Sequence, residues 1–353
     1  MSLFNADNVP AWANAFLQGI PYARESGMTA RDVGVQKGHA TVDMPARDAW
    51  TGDSIAQQLH PGCATVLADT ACGLAVGAAL DTLVPFATLD LRMDYLRPAR
   101  AGIGLSCQAH CHRVSRNVAF VRGEIYQPGT DEPVAMVSAT FMLGTANQRR
   151  SAPKAAGDTA ATSAGSATAA SSASSKASSA TPSAAASSQP SANALAAATT
   201  AAAISDACAA PGLVRTPASP AGRSPYADFL TLERCAPPED PAAAVFRMPF
   251  KPELIGNPVL PALHGGVVAG FAETAALLHV IYTSDLAPEE APRGVDFSLD
   301  YLRPARPVDT WARCTTVRQG ARVALVHVQV WQEDPSRPIV TARSHCLLPA
   351  REG

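Results

Sequence analysis

The stretch DYLRPAR at 94–100 recurs without change at 300–306. These two copies are 206 residues apart (300 − 94 = 206). The pair Leu-His at 59–60 returns at 263–264, a distance of 204 residues (263 − 59 = 204). Matches at nearly one distance indicate an internal duplication. Two long copies predict two domains, because a solenoid needs at least three short repeats.

A segment of very biased composition separates the copies. Between Ser151 and Thr200, 39 of the 50 residues are Ala, Ser or Thr. Such a segment cannot bury enough apolar surface to offset the entropy cost of ordering, which predicts a disordered linker. We therefore expect an N-terminal domain at 1–147, a linker at 148–210 and a C-terminal domain at 211–353.

The overall composition narrows the classes of function. The 353 residues are 47% hydrophobic, which is enough for two cores, and carry a net charge of −2. This charge gives no reason to expect nucleic acid or an acidic membrane as a partner. The start lacks a basic segment followed by an apolar run, and no stretch predicts a membrane span. The eight cysteines form no CxxC pair, which favours a reduced, cytoplasmic protein.

One group of cysteines and histidines allows two interpretations. Cys107 and Cys111 lie in a predicted strand beside His110 and His112. A metal site is one interpretation, and small, partly apolar core residues are the other. We expect the second, with no metal and no cofactor.

Each copy predicts the same order of elements. A short strand leads through a loop of about 15 residues to a long helix of small and apolar residues, and four alternating strands follow. This order predicts an α+β unit in which the helix packs against a curved antiparallel sheet. The predicted helices lie at about 62–80 and 265–282, the first strands at 39–44 and 244–248, and the later strands at 89–95, 104–114, 118–127 and 133–143, and at 295–301, 311–317, 323–332 and 339–347.

A histidine stands at the start of each long helix. The second copy reads Leu263-His264-Gly265-Gly266, and the first reads Leu59-His60-Pro61-Gly62. The free N–H groups and positive dipole end of a helix start suit a developing negative oxygen, and glycine lets a ligand approach the backbone. This pattern indicates an oxyanion hole. A loop-to-helix turn with a capping histidine is the alternative.

Each helix also carries one acid nine residues after its histidine. These acids are Asp69 (69 − 60 = 9) and Glu273 (273 − 264 = 9). A buried acid is costly unless it has a partner or a task. Nine residues place it about 13 Å along the axis and on nearly the opposite face. The acid is therefore predicted to serve the helix start of the other copy.

These motifs together resemble those of the hot-dog acyl-CoA thioesterases, in particular the phenylacetyl-CoA and 4-hydroxybenzoyl-CoA thioesterases. The resemblance covers about 21–143 and 225–348. It implies two hot-dog domains that pair as a pseudo-dimer with one continuous sheet. Each site then takes its helix start from one copy and its acid from the other.

The resemblance implies two unequal sites. Site I combines Asn257, His264, Gly265 and Gly266 with Asp69 and with Thr88, which lies six residues before Asp94 (94 − 88 = 6). Asn257 is seven residues before His264 (264 − 257 = 7), where the family spacing is nearer six. Site II combines Asp53 or Ser54, His60, Pro61 and Gly62 with Glu273, and has Gly294 where site I has Thr88.

Pro61 predicts that site II is degenerate. Proline has no N–H, and Pro61 occupies the position whose N–H would hold the thioester oxygen. The loss of one such donor costs about 10²–10³ in rate. Site I is therefore predicted to hydrolyse acyl-CoA, with Asp69 as general base or nucleophile. Thr88 would orient the water, and His264 would fix the loop rather than act as base.

The sequence also suggests partners for the chain and two rival functions. Arg97 and Arg303 are candidates for contacts with the CoA phosphates, with solvated strand ends as the alternative. A homo-oligomer is expected, as a dimer of double hot-dogs. A hot-dog hydratase is one rival, although its acid and histidine about five residues apart are missing here. A non-catalytic acyl-CoA-binding or regulatory protein is the other.

Overall fold

The computed structural model describes residues 11–34, 37–80, 84–144, 214–237, 240, 243–257, 259, 261–284, 286 and 290–350. The predicted linker at 148–210 lies outside these residues.

Two long helices form the centre of the fold. Helix α3 covers Pro61–Ala79 and helix α5 covers Gly265–Thr283, and almost every side chain of both is buried. Their small residues allow close packing on all sides, so neither helix has a polar face. By length and composition each helix could cross a membrane. Within the structure, however, 89% and 83% of their most apolar 18-residue segments are buried. Such burial is typical of a core helix.

Within the described residues, an antiparallel sheet of 13 strands wraps these helices. Its order is β1-β2-β6-β7-β8-β5-β14-β17-β16-β15-β11-β10-β9. The strands of the first domain are β1 (Thr29–Gly34), β2 (His39–Met44), β5 (Phe86–Tyr95), β6 (Leu105–Val114), β7 (Val118–Tyr126) and β8 (Ala135–Leu143). Those of the second are β9 (Val214–Pro217), β10 (Glu233–Ala236), β11 (Val245–Met248), β14 (Arg293–Tyr301), β15 (Thr310–Gln319), β16 (Val323–Trp331) and β17 (Val340–Leu347).

The two domains join through strands β5 and β14, which end in the repeated motif. They pair antiparallel, with Arg92 opposite Ser298, Met93 opposite Phe297 and Leu91 opposite Leu299. With the shift of 206, Arg92 corresponds to Ser298 itself (92 + 206 = 298), so a pseudo-twofold axis passes through this pair. The duplication therefore forms an internal dimer, and the start of each helix faces the other copy.

Several short elements were not predicted from the sequence. The first domain adds helices α1 (Ala11–Gly19) and α2 (Pro21–Ser26) and strand β1, and the second adds α4 (Pro225–Phe229), β9 and β10. The loop before each long helix contains a small hairpin, formed by β3 (Thr51–Asp53) and β4 (Gln58–Leu59), and by β12 (Ile255–Asn257) and β13 (Ala262–Leu263). These elements are too short for a clear periodicity, and tertiary packing decides them.

Candidate active site

His264 ends the loop before α5 and caps the helix. Its Nδ1 accepts a hydrogen bond from the Gly266 N–H at 3.0 Å, and its Nε2 lies 3.2 Å from Thr70 Oγ1. The Thr70 hydroxyl donates to the Val66 carbonyl at 2.8 Å, so Nε2 must carry the proton that it shares with Thr70. Burial lowers the pKa of His264, against the opposing effect of Asp69. His264 is therefore a neutral imidazole that holds the loop.

Asp69 reaches this helix start from the other domain. Its Oδ2 accepts a hydrogen bond from the Gly266 N–H at 2.7 Å, and its Oδ1 accepts one from Thr88 Oγ1 at 2.8 Å. Only 7% of Asp69 is exposed. Two donors thus hold a nearly buried carboxylate in one orientation. The structure brings together Asp69, Thr88, His264 and Gly266, across the two domains.

Gly265 is the first residue of α5 and faces the Asp69 carboxylate. A Cβ at Gly265 would lie 3.0 Å from Asp69 Oδ2 and 3.4 Å from Tyr301 Oη. No group among the described residues accepts a hydrogen bond from its N–H, and the residue is partly exposed. An open donor at the positive end of a helix, beside a carboxylate, can hold a carbonyl oxygen.

Gly266 must be a glycine for a different reason from the one predicted. We expected Gly266 to give room to a ligand, but a Cβ there would lie 2.8 Å from Val66 Cα and 3.1 Å from Asp69 Cβ. The space is filled by helix α3. Gly266 therefore allows the two helices to approach closely enough for Asp69 to reach its N–H.

Site II has the same backbone but different chemistry. His60 Nδ1 accepts a hydrogen bond from the Gly62 N–H at 2.9 Å. The His60 ring stacks on Tyr226 with 4.6 Å between ring centroids. Burial lowers the pKa of His60 to about 3. Pro61 is the first residue of α3, so the N–H that corresponds to that of Gly265 does not exist.

Glu273 lies behind two hydroxyl groups. Its Oε2 accepts a hydrogen bond from Thr65 Oγ1 at 2.8 Å, and Thr65 Oγ1 lies 2.9 Å from Tyr95 Oη. Glu273 is fully buried, and this burial raises its pKa to about 7 against the lowering effect of both hydroxyl groups. The second domain has Ala269 at the position of Thr65 (65 + 204 = 269). The two acids are thus held in different ways.

Two of the residues predicted near the sites form hydrogen bonds within their own loops. Asn257 is exposed, and its Oδ1 accepts a hydrogen bond from the Val259 N–H at 3.0 Å. Asp53 is buried and accepts hydrogen bonds from the Ile55 and Ala56 N–H groups at 2.9 and 3.1 Å. It also contacts Arg223 at 3.2 Å.

The two candidate arginines for CoA are anchored at strand ends. Arg97 pairs with Glu132 and donates to the Pro133 carbonyl at 3.2 Å. Arg303 is exposed and donates to the Pro338 carbonyl. Arg97 also lines a cavity beside site II.

Several residues of both sites were missed by sequence reasoning. Tyr301 lies over Gly265, and its buried hydroxyl has no partner among the described residues. Tyr22 packs against His264 with 5.8 Å between ring centroids, as Tyr226 does against His60. Thr70 supports His264. The available signal was the repeat itself, because each of these residues has an identical counterpart in the other copy.

The cysteine and histidine group divides between the two faces of strand β6. Cys107 and Cys111 are buried, whereas His110 and His112 are exposed and pack on each other with 4.5 Å between centroids. The alternation of a strand therefore separates the thiols from the imidazoles.

Both halves of the chain match family models. Residues 57–134 match the model of the thioesterase superfamily, and residues 257–346 match that of the acyl-CoA thioesterase N-terminal domain. The chain belongs to the thioesterase superfamily. The two family models agree with the acyl-CoA thioesterase activity that the motifs predicted.

Individual proteins agree with the superfamily assignment. The chain is 30% identical over 131 residues to a Halobacterium salinarum protein with an inferred esterase assignment, covering 36% of this chain and 84% of that relative. It is 32% identical over 95 residues to the medium/long-chain acyl-CoA thioesterase YigI of Salmonella typhimurium, covering 24% of this chain and 61% of YigI. A solved hot-dog protein of unknown function from Alicyclobacillus acidocaldarius is similar with a TM-score of 0.54 at 12% identity, covering 95% of this thioesterase and 98% of that protein. The predicted pair of hot-dog domains is confirmed.

The buried acid of site II predicts a pH dependence of stability. The ordinary pKa of Glu273 is 4.5, and burial raises it to about 7. Between these values the folded chain binds more protons than the unfolded chain, so the free energy of unfolding falls as the pH rises. Glu273→Gln removes this loss. We expect the wild type to lose about 3 kcal/mol relative to Glu273→Gln between pH 5 and pH 8, measured by urea unfolding.

His60 gives an internal control with the opposite sign. Its pKa is lowered from 6.5 to about 3, so its protonation favours the unfolded chain as the pH falls through this range. Glu273→Gln should retain this acid-side loss. A parallel loss of stability in both proteins between pH 5 and pH 8 would show that Glu273 is not the titrating group.

Proposed function

We propose that this acyl-CoA thioesterase hydrolyses its substrate at site I, with Asp69 acting on a thioester held at the Gly265 N–H. One observation carries the proposal: the Asp69 carboxylate is held by the Gly266 N–H at 2.7 Å and by Thr88 at 2.8 Å, beside an open N–H at the start of α5. Thiol release from acyl-CoA, measured for variants of Asp69 and Glu273, tests it. If substitution of Glu273 abolished activity and substitution of Asp69 did not, hydrolysis would be assigned to site II instead.

The geometry supports a simple sequence of steps. The carbonyl oxygen accepts a hydrogen bond from Gly265, which stabilises the negative charge that develops there. Asp69 takes a proton from water, and the water oxygen forms a bond to the carbonyl carbon. The tetrahedral intermediate then collapses, the C–S bond breaks, and the CoA sulfur leaves with the electron pair. The buried Tyr301 hydroxyl, which has no partner among the described residues, is available as a second donor to the substrate.

Direct attack by Asp69 is the other route. The carboxylate oxygen would form a mixed anhydride as the C–S bond breaks, and water would then hydrolyse the anhydride. A single turnover in water enriched in oxygen-18 tests for the anhydride. Label in the Asp69 side chain indicates an anhydride that water opens at the Asp69 carbonyl, whereas water activation by Asp69, like an anhydride opened at the acyl carbonyl, places the label in the free acid alone.

We propose a medium or long acyl chain as the substrate group. The name of the Salmonella relative suggests this class, and the helices support it. Leu277 and Ile281 of α5 line the cavity at site II, and the residues 204 positions earlier in α3 are Gly73 and Gly77. By the pseudo-twofold symmetry, we place the acyl channel of site I along this glycine face, with the rings of Phe86 and Trp12 as its wall. Ring atoms of Phe86 and Trp12 lie 3.6 Å and 3.9 Å from the Cβ positions of these glycines.

Gly77→Ile should therefore shorten the acyl chain that site I accepts. Each methylene in an apolar pocket is worth about 1–3 kcal/mol, so we expect kcat/KM for a 16-carbon acyl-CoA to fall at least tenfold relative to a four-carbon one. The matched control is Ile281→Gly at site II, which should leave chain-length preference unchanged. An equal fall for all chain lengths in Gly77→Ile would contradict this channel.

We also propose that the chain assembles into a homo-oligomer, binds neither nucleic acid nor membranes, and is cytoplasmic.

A further inference from the structure

A cavity of about 340 Å³ opens beside the start of α3, at site II. Pro61, Ala64 and Tyr95 line it from the first domain, and Leu277 and Ile281 line it from the second. Its inner wall is therefore apolar and built across the domain boundary. Burial of an alkyl chain against such a wall gives about 25 cal/mol for each Å² removed from water.

Two arginines lie at the mouth of the cavity, together with Glu290 and with Asp53, which pairs with Arg223. A second space of about 420 Å³ adjoins it, shares Arg293 with it, and is also lined by Arg322. Among the described residues neither guanidinium forms an ion pair with a carboxylate, although Glu290 lies at the same rim. Arginine is suited to phosphate because its planar group donates two parallel hydrogen bonds. An apolar cavity with arginines at its mouth fits an acyl chain joined to a phosphorylated carrier.

The same cavity lacks the groups that hydrolysis needs. Pro61 has no N–H to hold the thioester oxygen, and Gly294 has no hydroxyl where site I has Thr88. Glu273 is fully buried and its Oε2 is taken by Thr65. A thioester at the start of α3 would therefore find no N–H that corresponds to that of Gly265, and the acid nearest to it is covered by Thr65.

We propose that site II binds a second molecule of acyl-CoA and does not hydrolyse it. This inference rests on the proposed assignment of hydrolysis to site I. Each chain then binds one acyl-CoA that is hydrolysed at site I and one that stays intact at site II. At site II the acyl chain lies beside α5 and the CoA phosphates lie at Arg293 and Arg322.

The number of bound ligands tests the proposal. We would titrate the full chain with a thioether analogue of a 16-carbon acyl-CoA, which cannot be hydrolysed, and measure binding by calorimetry. Two molecules per chain are expected. Ile281→Trp should fill the cavity and reduce the number to one, with thiol release from acyl-CoA retained. One molecule per wild-type chain would overturn the proposal.

A second pair of variants keeps the test independent of cavity packing. Arg293→Ala with Arg322→Ala should weaken one of the two binding events at least tenfold and leave thiol release unchanged. The matched variant Gly77→Ile should instead alter turnover and leave the site II event intact. Binding of a free 16-carbon acid with no dependence on the two arginines would overturn the assignment of acyl-CoA as the ligand.

Failure of the site I assignment would look different. Thiol release that survives Asp69→Asn, or that is lost in Ile281→Trp, would place hydrolysis outside site I whatever the number of ligands. A single bound analogue with normal dependence on Asp69 would overturn the site II proposal alone.

Discussion

Asp69→Asn should lower kcat for acyl-CoA hydrolysis by about 10²–10⁴-fold, the usual contribution of a positioned general base. Asparagine has nearly the same shape, so the helix contacts should survive. It has neither the negative charge nor the basicity of the carboxylate. Because Asp69 is held within 2.8 Å of two donors, its loss should affect kcat more than KM. Thiol release over a panel of acyl chain lengths gives both constants.

Glu273→Gln is the matched control for this prediction. It removes the acid at the same helix position in the other copy, but Glu273 is fully buried behind Thr65 and Tyr95. We expect kcat within about twofold of the wild type. Thermal unfolding of both variants checks that the fold is retained. A loss of activity in Glu273→Gln with full activity in Asp69→Asn would contradict the assignment of hydrolysis to site I.

Gly265→Pro should reproduce at site I the lesion that Pro61 makes at site II. Proline is tolerated as the first residue of a helix. The residue before it must be extended, and His264 (φ −62°, ψ 129°) matches His60 (φ −69°, ψ 130°), which already precedes a proline. The fold should therefore survive while the N–H is lost. We expect kcat to fall by about 10²–10³-fold.

Gly265→Ala separates the lost donor from the added atoms. It retains the N–H but places a Cβ 3.0 Å from Asp69 Oδ2, as proline does. The excess loss in the proline variant then measures the lost N–H together with the ring carbons that replace its hydrogen. Equal losses in the two variants would mean that crowding, not the oxyanion donor, explains the effect.

The reverse change tests whether Pro61 alone disables site II. In an Asp69→Asn background, Pro61→Gly restores the missing N–H, but Glu273 remains buried with Oε2 bound by Thr65. We expect no recovery of thiol release. Recovery would show that the buried acid can reach the thioester.

Much of the architecture could be predicted because it repeats. The identity of 94–100 with 300–306 indicated two domains, and the nine-residue spacing from His60 to Asp69 placed the acid away from its own helix start. Helix periodicity alone makes that second inference, since about 100° per residue fixes the face. The absence of an N–H at Pro61 also follows from the residue type.

Other features depend on atoms that only the fold brings together. Gly266 looked like a ligand contact, but a Cβ at this position would lie only 2.8 Å from the Val66 Cα of α3. Asn257 looked like a site residue, but its side chain caps its own loop. Nothing in the sequence pointed to Thr65, although its Oγ1 donates a hydrogen bond to Glu273 Oε2 at 2.8 Å. Thr65 lies on the long helix of the other domain.

The sequence by itself determined the duplication, the two long helices, the crossed acids and the missing donor at Pro61, because these follow from local identity, periodicity and covalent chemistry. Only the tertiary structure decided how the two acids differ. Asp69 meets the Gly266 N–H beside an open Gly265, and Glu273 turns to Thr65 and Tyr95 beside a cavity. The physical reason is that hydrogen-bond partners for a buried carboxylate come from residues distant in the chain, and strand pairing between β5 and β14 sets which of them are near.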